Sequence, residues 1–245
     1  MCPLAFLAGF VDAIAGGGGL ISLPAYIFAG LPVHLALGTN KLSNSMGTLV
    51  ATARYALRGY MVREFVLVAV PLALAGSWAG SNAALVTEDT VFRVIMLAAL
   101  PFVAFFVLRT RDLDAFSRVE IPRGRALATT ACIALAMGFY DGFFGPGTGT
   151  FLMLLLTALA HQDVRHAQGT TKAVNISTNL AALAVFAANG QVLLGLGLVA
   201  GAFNIIGNWL GSQSFIGKGS AIARPVMLAV IAAFFVKLLV DIVAG

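Results

Sequence analysis

The chain has 245 residues, 60% of them hydrophobic and only 10% charged, with a mean hydropathy of +0.95. Soluble domains carry about 25% charged residues, so this chain could not cover its surface in water, and its solvent is largely lipid. The net charge of +5 and the pI near 9.6 would suit nucleic acid, but the basic residues cluster in short loops between apolar runs. That pattern orients membrane proteins and does not build a nucleic-acid face.

In lipid only helices and closed barrels satisfy their own backbone polar groups. A barrel would alternate in segments of about ten residues. The runs 62–86, 90–108 and 221–244 do not alternate, and each is near the ~20 residues a bilayer requires. An all-α polytopic membrane protein is therefore expected. The N-terminus has no charged n-region, and it reads as the body of the first membrane helix and not as a signal peptide. In chain order the first half holds segments 3–16, 18–31, 36–57, 62–86 and 90–108. After the polar linker 109–124 the second half holds 125–144, 148–160, 168–188, 191–213 and 221–244. Segments 18–31 and 148–160 are short, roughly 20 Å at ~1.5 Å per residue against a core of ~30 Å, so they either cross as half-helices or re-enter. The expectation is about eight transmembrane helices plus two broken or re-entrant segments. They fall into an N-terminal repeat (1–108) and a C-terminal repeat (125–245), joined by 109–124.

The halves repeat one another. Gly9-Phe10-Val11-Asp12 returns as Gly138-Phe139-Tyr140-Asp141, and the run Gly16 to Gly19 returns as Gly145-Pro146-Gly147-Thr148-Gly149. Gly38-Thr39-Asn40-Lys41 returns as Gly169-Thr170-Thr171-Lys172, with Asn44 and Asn175 following. Gly76-Ser77-Trp78-Ala79-Gly80-Ser81 returns as Gly207-Asn208-Trp209-Leu210-Gly211-Ser212, and Arg93 as Arg224. Four blocks in one order at nearly one offset point to duplication, which is common in transporters. Only eight residues precede Gly9, whereas apolar sequence from Ala126 precedes Gly138. A short first helix, or a native start further upstream, is expected.

If the segments alternate sides, one set of ends carries Arg58, Arg63, Arg109, Arg111, Arg118, Arg123, Arg125, Arg165 and Lys218. The other carries His34, Glu88, Asp89 and Asp241. By the positive-inside rule the first set is cytoplasmic. The linker is then inside and both termini are outside, in a bacterial inner membrane. An odd number of segments per half makes the repeats inverted.

Three kinds of residue could carry chemistry. Gly16, Gly17, Gly18 and Gly19, and Gly145, Gly147, Thr148 and Gly149 around Pro146, lie inside apolar sequence, where glycine and proline break a helix. The next segment then begins with free N–H groups and a positive dipole end, which suits an anion. The alternative is close helix packing through glycine. Lys41 and Lys172 stand near helix starts with Thr39, Asn40, Asn44 and with Thr170, Thr171, Asn175 as companions. A lysine within a span costs about 2.5–3.5 kcal/mol, so binding a substrate competes with snorkelling to the interface. Asp12 and Asp141 precede the breaks by four residues. A buried carboxylate is paired or protonated, so they are proton carriers, partners of Lys41 or Lys172, or caps for broken backbone. Arg93 and Arg224 read as interfacial, Trp78 and Trp209 as packing, and Cys2 and Cys132 as small hydrophobes. His34, His161 and His166 show no metal spacing, and there is no hydrolase pattern. No cofactor and no enzymatic activity is expected.

These paired motifs resemble the sulfite exporter TauE/SafE family over essentially the whole chain, with its YfcA-like branch of bacterial inner-membrane permeases the nearest likeness. The short N-terminus is the one departure. The resemblance implies export of sulfite, organosulfonates or related sulfur-containing anions. The reading from the residues is a secondary transporter of a small anion, with a passive anion channel and a non-transporting membrane scaffold as the other two classes. Its expected partners are the small anionic substrate, the lipid bilayer and a coupling proton. A homo-oligomer stays open, and nucleic acid is excluded.

Overall fold

The computed structural model describes residues 1–88, 91, 121–218, 221–222 and 225–226. Most of segments 90–108 and 221–244, residues 109–120 of the linker, and Asp89, Arg93, Arg224 and Asp241 lie outside the described residues. Within them the chain is all-helical: α1 (Cys2–Ala15), α2 (Gly19–Phe28), α3 (Val33–Leu57), α4 (Arg63–Leu85), α5 (Arg123–Phe143), α6 (Thr148–Ala158), α7 (Val164–Ala188) and α8 (Leu194–Lys218).

Both expected breaks are present. Helix α1 ends at Gly16 in the left-handed conformation (φ 69°), and α6 begins after Gly147 with φ 82°. Glycine tolerates that region, whereas a Cβ would crowd the following carbonyl. Helices α3 and α7 start about one turn earlier than the apolar pattern suggests, at Val33 and Val164. Asp163 caps α7 by accepting from the amides of Arg165 and His166. Lys41 and Lys172 therefore sit two turns inside their helices and not at their starts.

Helices α4, α5 and α8 are long and apolar enough to cross a membrane. Helices α3 and α7 have 25 residues each, about 37 Å, but carry buried Thr, Ser, Asn and Lys side chains along their length. They can be polar because protein surrounds them: α3 packs on α7 and α8, and α7 on α3 and α4.

The packing follows the sequence repeat. Helix α4 lies against α5, and its equivalent α8 lies against α1, the equivalent of α5. The motif glycines permit both contacts. A Cβ on Gly80 would lie 2.1 Å from the Phe139 carbonyl oxygen, and one on Gly207 would lie 2.1 Å from that of Phe6. The glycines flanking Trp78 and Trp209 thus bring backbones together, while both tryptophans face outward. Each half therefore packs its last described helix on the other half.

Two apolar clusters mark the ends of the bundle. One joins Ala5 of α1, Leu23 and Tyr26 of α2, Leu37 of α3, Ala84 of α4 and Phe186 of α7. The other joins Ala13 to Ala15 of α1, Tyr55 near the end of α3, Tyr60 in the loop after it, Ala69 of α4, Leu152 to Leu156 of α6, Ala167 of α7 and Phe215 of α8. Helix α2 thus leads back toward the end from which α1 came. Basic groups gather at the second end: Arg123 pairs with Glu64 at 2.7 Å, and the Arg165 guanidinium lies 6.0 Å from the Tyr60 ring centre. At the first end a His34 ring nitrogen contacts the Ala84 carbonyl at 3.0 Å, and the Leu193 amide donates to Thr39 at 3.0 Å.

Candidate functional site

The two helix breaks meet. A Cβ on Gly16 would lie 2.3 Å from the Gly149 backbone, and one on Gly19 would lie 3.2 Å from the Cα of Pro146. Only glycine at Gly16 and Gly149 lets the chains approach this closely. The first turns of α2 and α6 consequently start beside each other, with Gly19 of one and Thr148 and Gly149 of the other at the positive ends of their helix dipoles.

The carboxylates and lysines close around this junction, and they pair across the repeat. Lys41 of the first half donates to Asp141 of the second at 2.7 Å. Lys172 of the second donates to Asp12 of the first at 2.8 Å, and also to the Asp12 main-chain carbonyl. Lys41 is 2% exposed and Lys172 fully buried, so neither reaches the interface. Among the three roles open to the aspartates, the geometry realises lysine pairing. A carboxylate and an ammonium removed from water are tolerated when paired and hydrogen-bonded, and strongly destabilising when one partner is removed.

Between the breaks lies a polar cavity of about 20 Å³, lined by Asp12, Gly16, Gly19, Asn40, Lys41, Asn44, Asp141, Gly145, Thr148, Gly149, Asn175 and Asn179. That is room for about one water molecule. Most of the residues singled out from the sequence converge here, but not all. Gly17, Gly18 and Gly147 shape the turns without lining the space. Thr39 accepts from the Leu193 amide, Thr170 donates to Gln162 at 2.9 Å, and Thr171 is fully buried away from the cavity. The motif glycines Gly38 and Gly169 seat their helices on loops, against the carbonyls of Gln191 and Tyr60. In Gly-Thr-x-Lys-x-x-Asn, then, the first two positions hold the fold, the asparagine of both copies and the lysine of the first line the cavity, and Lys172 lies behind it on Asp12.

Two contributors escape the motif reading. Asn179 lines the cavity, and Thr48 donates to Asp12 at 3.1 Å. Each lies one helical turn beyond a residue that the motif picks out, Asn175 and Asn44, so the i+4 face rule would have found them. Amides continue away from the cavity: Asn44 donates to Asn40 at 3.3 Å and accepts from Asn204 at 3.2 Å, and Asn208 donates to Asn204 at 2.8 Å. No group of three or more His, Cys, Asp or Glu side chains that could hold a metal ion occurs among the described residues.

The sequence model of the sulfite exporter TauE/SafE family matches residues 1–238. The chain belongs to this family. It is 38% identical to a Sinorhizobium protein described as "Probable membrane transporter protein ORF9", over 97% of this chain and 90% of the relative. It is 35% identical to a "Probable membrane transporter protein" of Haemophilus influenzae, over 91% and 87%. It is 32% identical to the Escherichia coli K12 protein described as "Probable membrane transporter protein YfcA", over 97% and 88%. These relatives are described as membrane transporters and not as enzymes, and this TauE/SafE member is likewise a membrane-embedded helical protein. No solved structure matches it.

Proposed function

We propose that this TauE/SafE member is a secondary transporter that moves a small sulfur-containing oxyanion, such as sulfite or an organosulfonate, across the bacterial inner membrane. One observation carries the reading: two interrupted helices present their N-terminal turns to a polar cavity beside the Lys41 ammonium. Helix N-termini and an ammonium stabilise a negative charge without water, and substrate sites at paired broken helices recur in transporters with internal repeats. The return of α2 toward the end from which α1 came, mirrored by α6 against α5, supports inverted repeats, with the Arg-rich end cytoplasmic and both termini periplasmic.

The charge balance supports proton coupling. Two lysines and two aspartates make the centre neutral, so an arriving anion leaves an uncompensated charge at low dielectric unless a carboxylate takes a proton. The cavity admits about one water molecule, which is too little for an oxyanion of four or more heavy atoms. Its walls must part for substrate, which favours a gated carrier over an open channel.

In proteoliposomes, sulfite flux should saturate with concentration and respond to an imposed proton gradient. Flux that rises linearly and ignores the gradient would replace the carrier by a channel. No flux and no binding of sulfite, thiosulfate, taurine or sulfoacetate would leave a scaffold.

A further inference from the structure

We propose that the two buried ion pairs divide the labour: Lys41–Asp141 opens to exchange its carboxylate for the substrate anion, while Lys172–Asp12 is a fixed clamp on the tip of α1. This division rests on the anion-transport reading above. Nothing in the repeat distinguishes the pairs, since Lys41 corresponds to Lys172 and Asp12 to Asp141. Their surroundings do.

The cavity touches Lys41 and Asp141, and it touches Asp12, but it does not reach Lys172. Among the described residues, the lysine ammonium that lines this space is that of Lys41. The Asp12 carboxylate holds a second donor, Thr48, at 3.1 Å. At the equivalent position beside Asp141 stands Asn179, which faces the cavity.

The end of α1 is also tied by side chains from three other helices. Tyr55 of α3 donates to the Ala13 carbonyl at 2.7 Å, Gln168 of α7 to the same carbonyl at 2.6 Å, and Thr150 of α6 to the Ala15 carbonyl at 2.7 Å. Lys172 adds a bond to the Asp12 carbonyl. A helix C-terminus whose orphan carbonyls are all claimed has little to gain by moving. In the other half the positions of Tyr55 and Gln168 are held by Phe186 and Leu37, which carry no donor. The turn after α5 instead holds two left-handed glycines, Gly145 (φ 94°) and Gly147 (φ 82°), and its side-chain bonds come from its own flanks, Tyr140 donating to the Pro146 carbonyl at 2.8 Å and Thr148 to the Gly145 carbonyl at 2.6 Å.

The exchange is simple in outline. A proton from the aqueous phase reaches the Asp141 carboxylate, its hydrogen bond to the Lys41 Nζ is released, and an anion oxygen takes its place. Among the described residues, the charged groups facing Asp141 are Lys41 from α3 and, across the cavity, Asp12 from α1. Helix α7 contributes the neutral Asn175 and Asn179 and keeps Lys172 on Asp12. Helix α4 contributes Gly76, Ser77 and Gly80 at its contact with α5.

The test uses the full chain in nanodiscs, with methanesulfonate as a probe of fixed charge and calorimetry at mildly acid and mildly alkaline pH. The wild type should bind at least about tenfold more weakly at the alkaline pH. Asp141→Asn, which mimics the protonated acid, should bind with the same affinity at both. Asp12→Asn should keep the wild-type pH response while losing thermal stability. Lys41→Arg retains charge and fold and should weaken binding about tenfold, whereas Lys172→Arg should leave affinity within about twofold of wild type. Equal pH responses in the two Asn variants, or a larger affinity loss at Lys172 than at Lys41, would overturn the division and leave anion transport standing. If wild type binds neither methanesulfonate nor sulfite, the anion reading itself fails, and the division with it.

Discussion

The two halves carry the same motif and build different surroundings for it. Around Asp12 the fold adds Thr48, Tyr55, Gln168 and Thr150, so the carboxylate and the helix end behind it are held from several directions. Around Asp141 the described groups are one lysine, a turn with two left-handed glycines that is tied only by its own flanking Tyr140 and Thr148, and a wall of amides. Duplication supplied a symmetric frame with two helix ends meeting at one point. Different residues at a handful of neighbouring positions give the two ends different numbers of hydrogen-bond ties from other helices.

That contrast can be broken in graded steps. The largest effect should follow removal of one partner from the more heavily tied side. Lys172→Met strands Asp12 in a buried site, and such breaks typically cost about 3–5 kcal/mol. Thermal unfolding in detergent should show a large drop, recovered in good part by adding Asp12→Leu; a drop that the second substitution deepens would mean that the pair contributes through packing alone.

Next comes the meeting point of the breaks. Gly16→Ala places a methyl 2.3 Å from the Gly149 backbone at a φ of 69°, so overpacking and a left-handed alanine together should remove about 2–4 kcal/mol. Gly147→Ala meets only side-chain atoms at 3.8 Å and should lose about 1–2 kcal/mol, the backbone part alone. Equal losses at the two would show that the Gly16–Gly149 contact yields easily.

A smaller effect should separate Tyr55 from its repeat partner. Tyr55→Phe removes the bond to the Ala13 carbonyl and should cost about 1 kcal/mol, read as earlier hydrogen exchange at the end of α1. The smallest belongs to the surface. Glu64→Gln breaks a pair whose side chains are 52% and 70% exposed; exposed pairs contribute about 0.2–1 kcal/mol and fade with salt. A loss that persists in high salt would indicate that the α4–α5 contact depends on this pair.

Much of the fold can be read from the residues. Long apolar runs, glycine and proline inside them, and basic loops define helices, breaks and loop composition through local chemistry, and eight of the ten expected segments correspond to described helices. The starts of α3 and α7 were misplaced, because hydropathy follows lipid contact while these helices are buried by protein. The centre was partly legible. Glycines, lysines and asparagines at equivalent positions marked it, but Thr39 and Thr170 share the motif and face loops instead, and Asn179 faces the centre from outside the motif.

By itself the sequence determined that the chain is helical, lives in lipid, is internally repeated and carries two lysines and two carboxylates at equivalent positions within apolar sequence. Composition, helix propensity and the desolvation of charge are properties of single residues and their near neighbours, so they are written along the chain. Which carboxylate meets which lysine was decided only by tertiary structure. Lys41 finds Asp141 at a separation of 100 residues and Lys172 finds Asp12 at 160, and in a duplicated sequence the alternative pairing within each half has the same local signature. The choice falls to the docking of one broken helix against the other, where backbone contact between Gly16 and Gly149 sets which side chains come within hydrogen-bond reach.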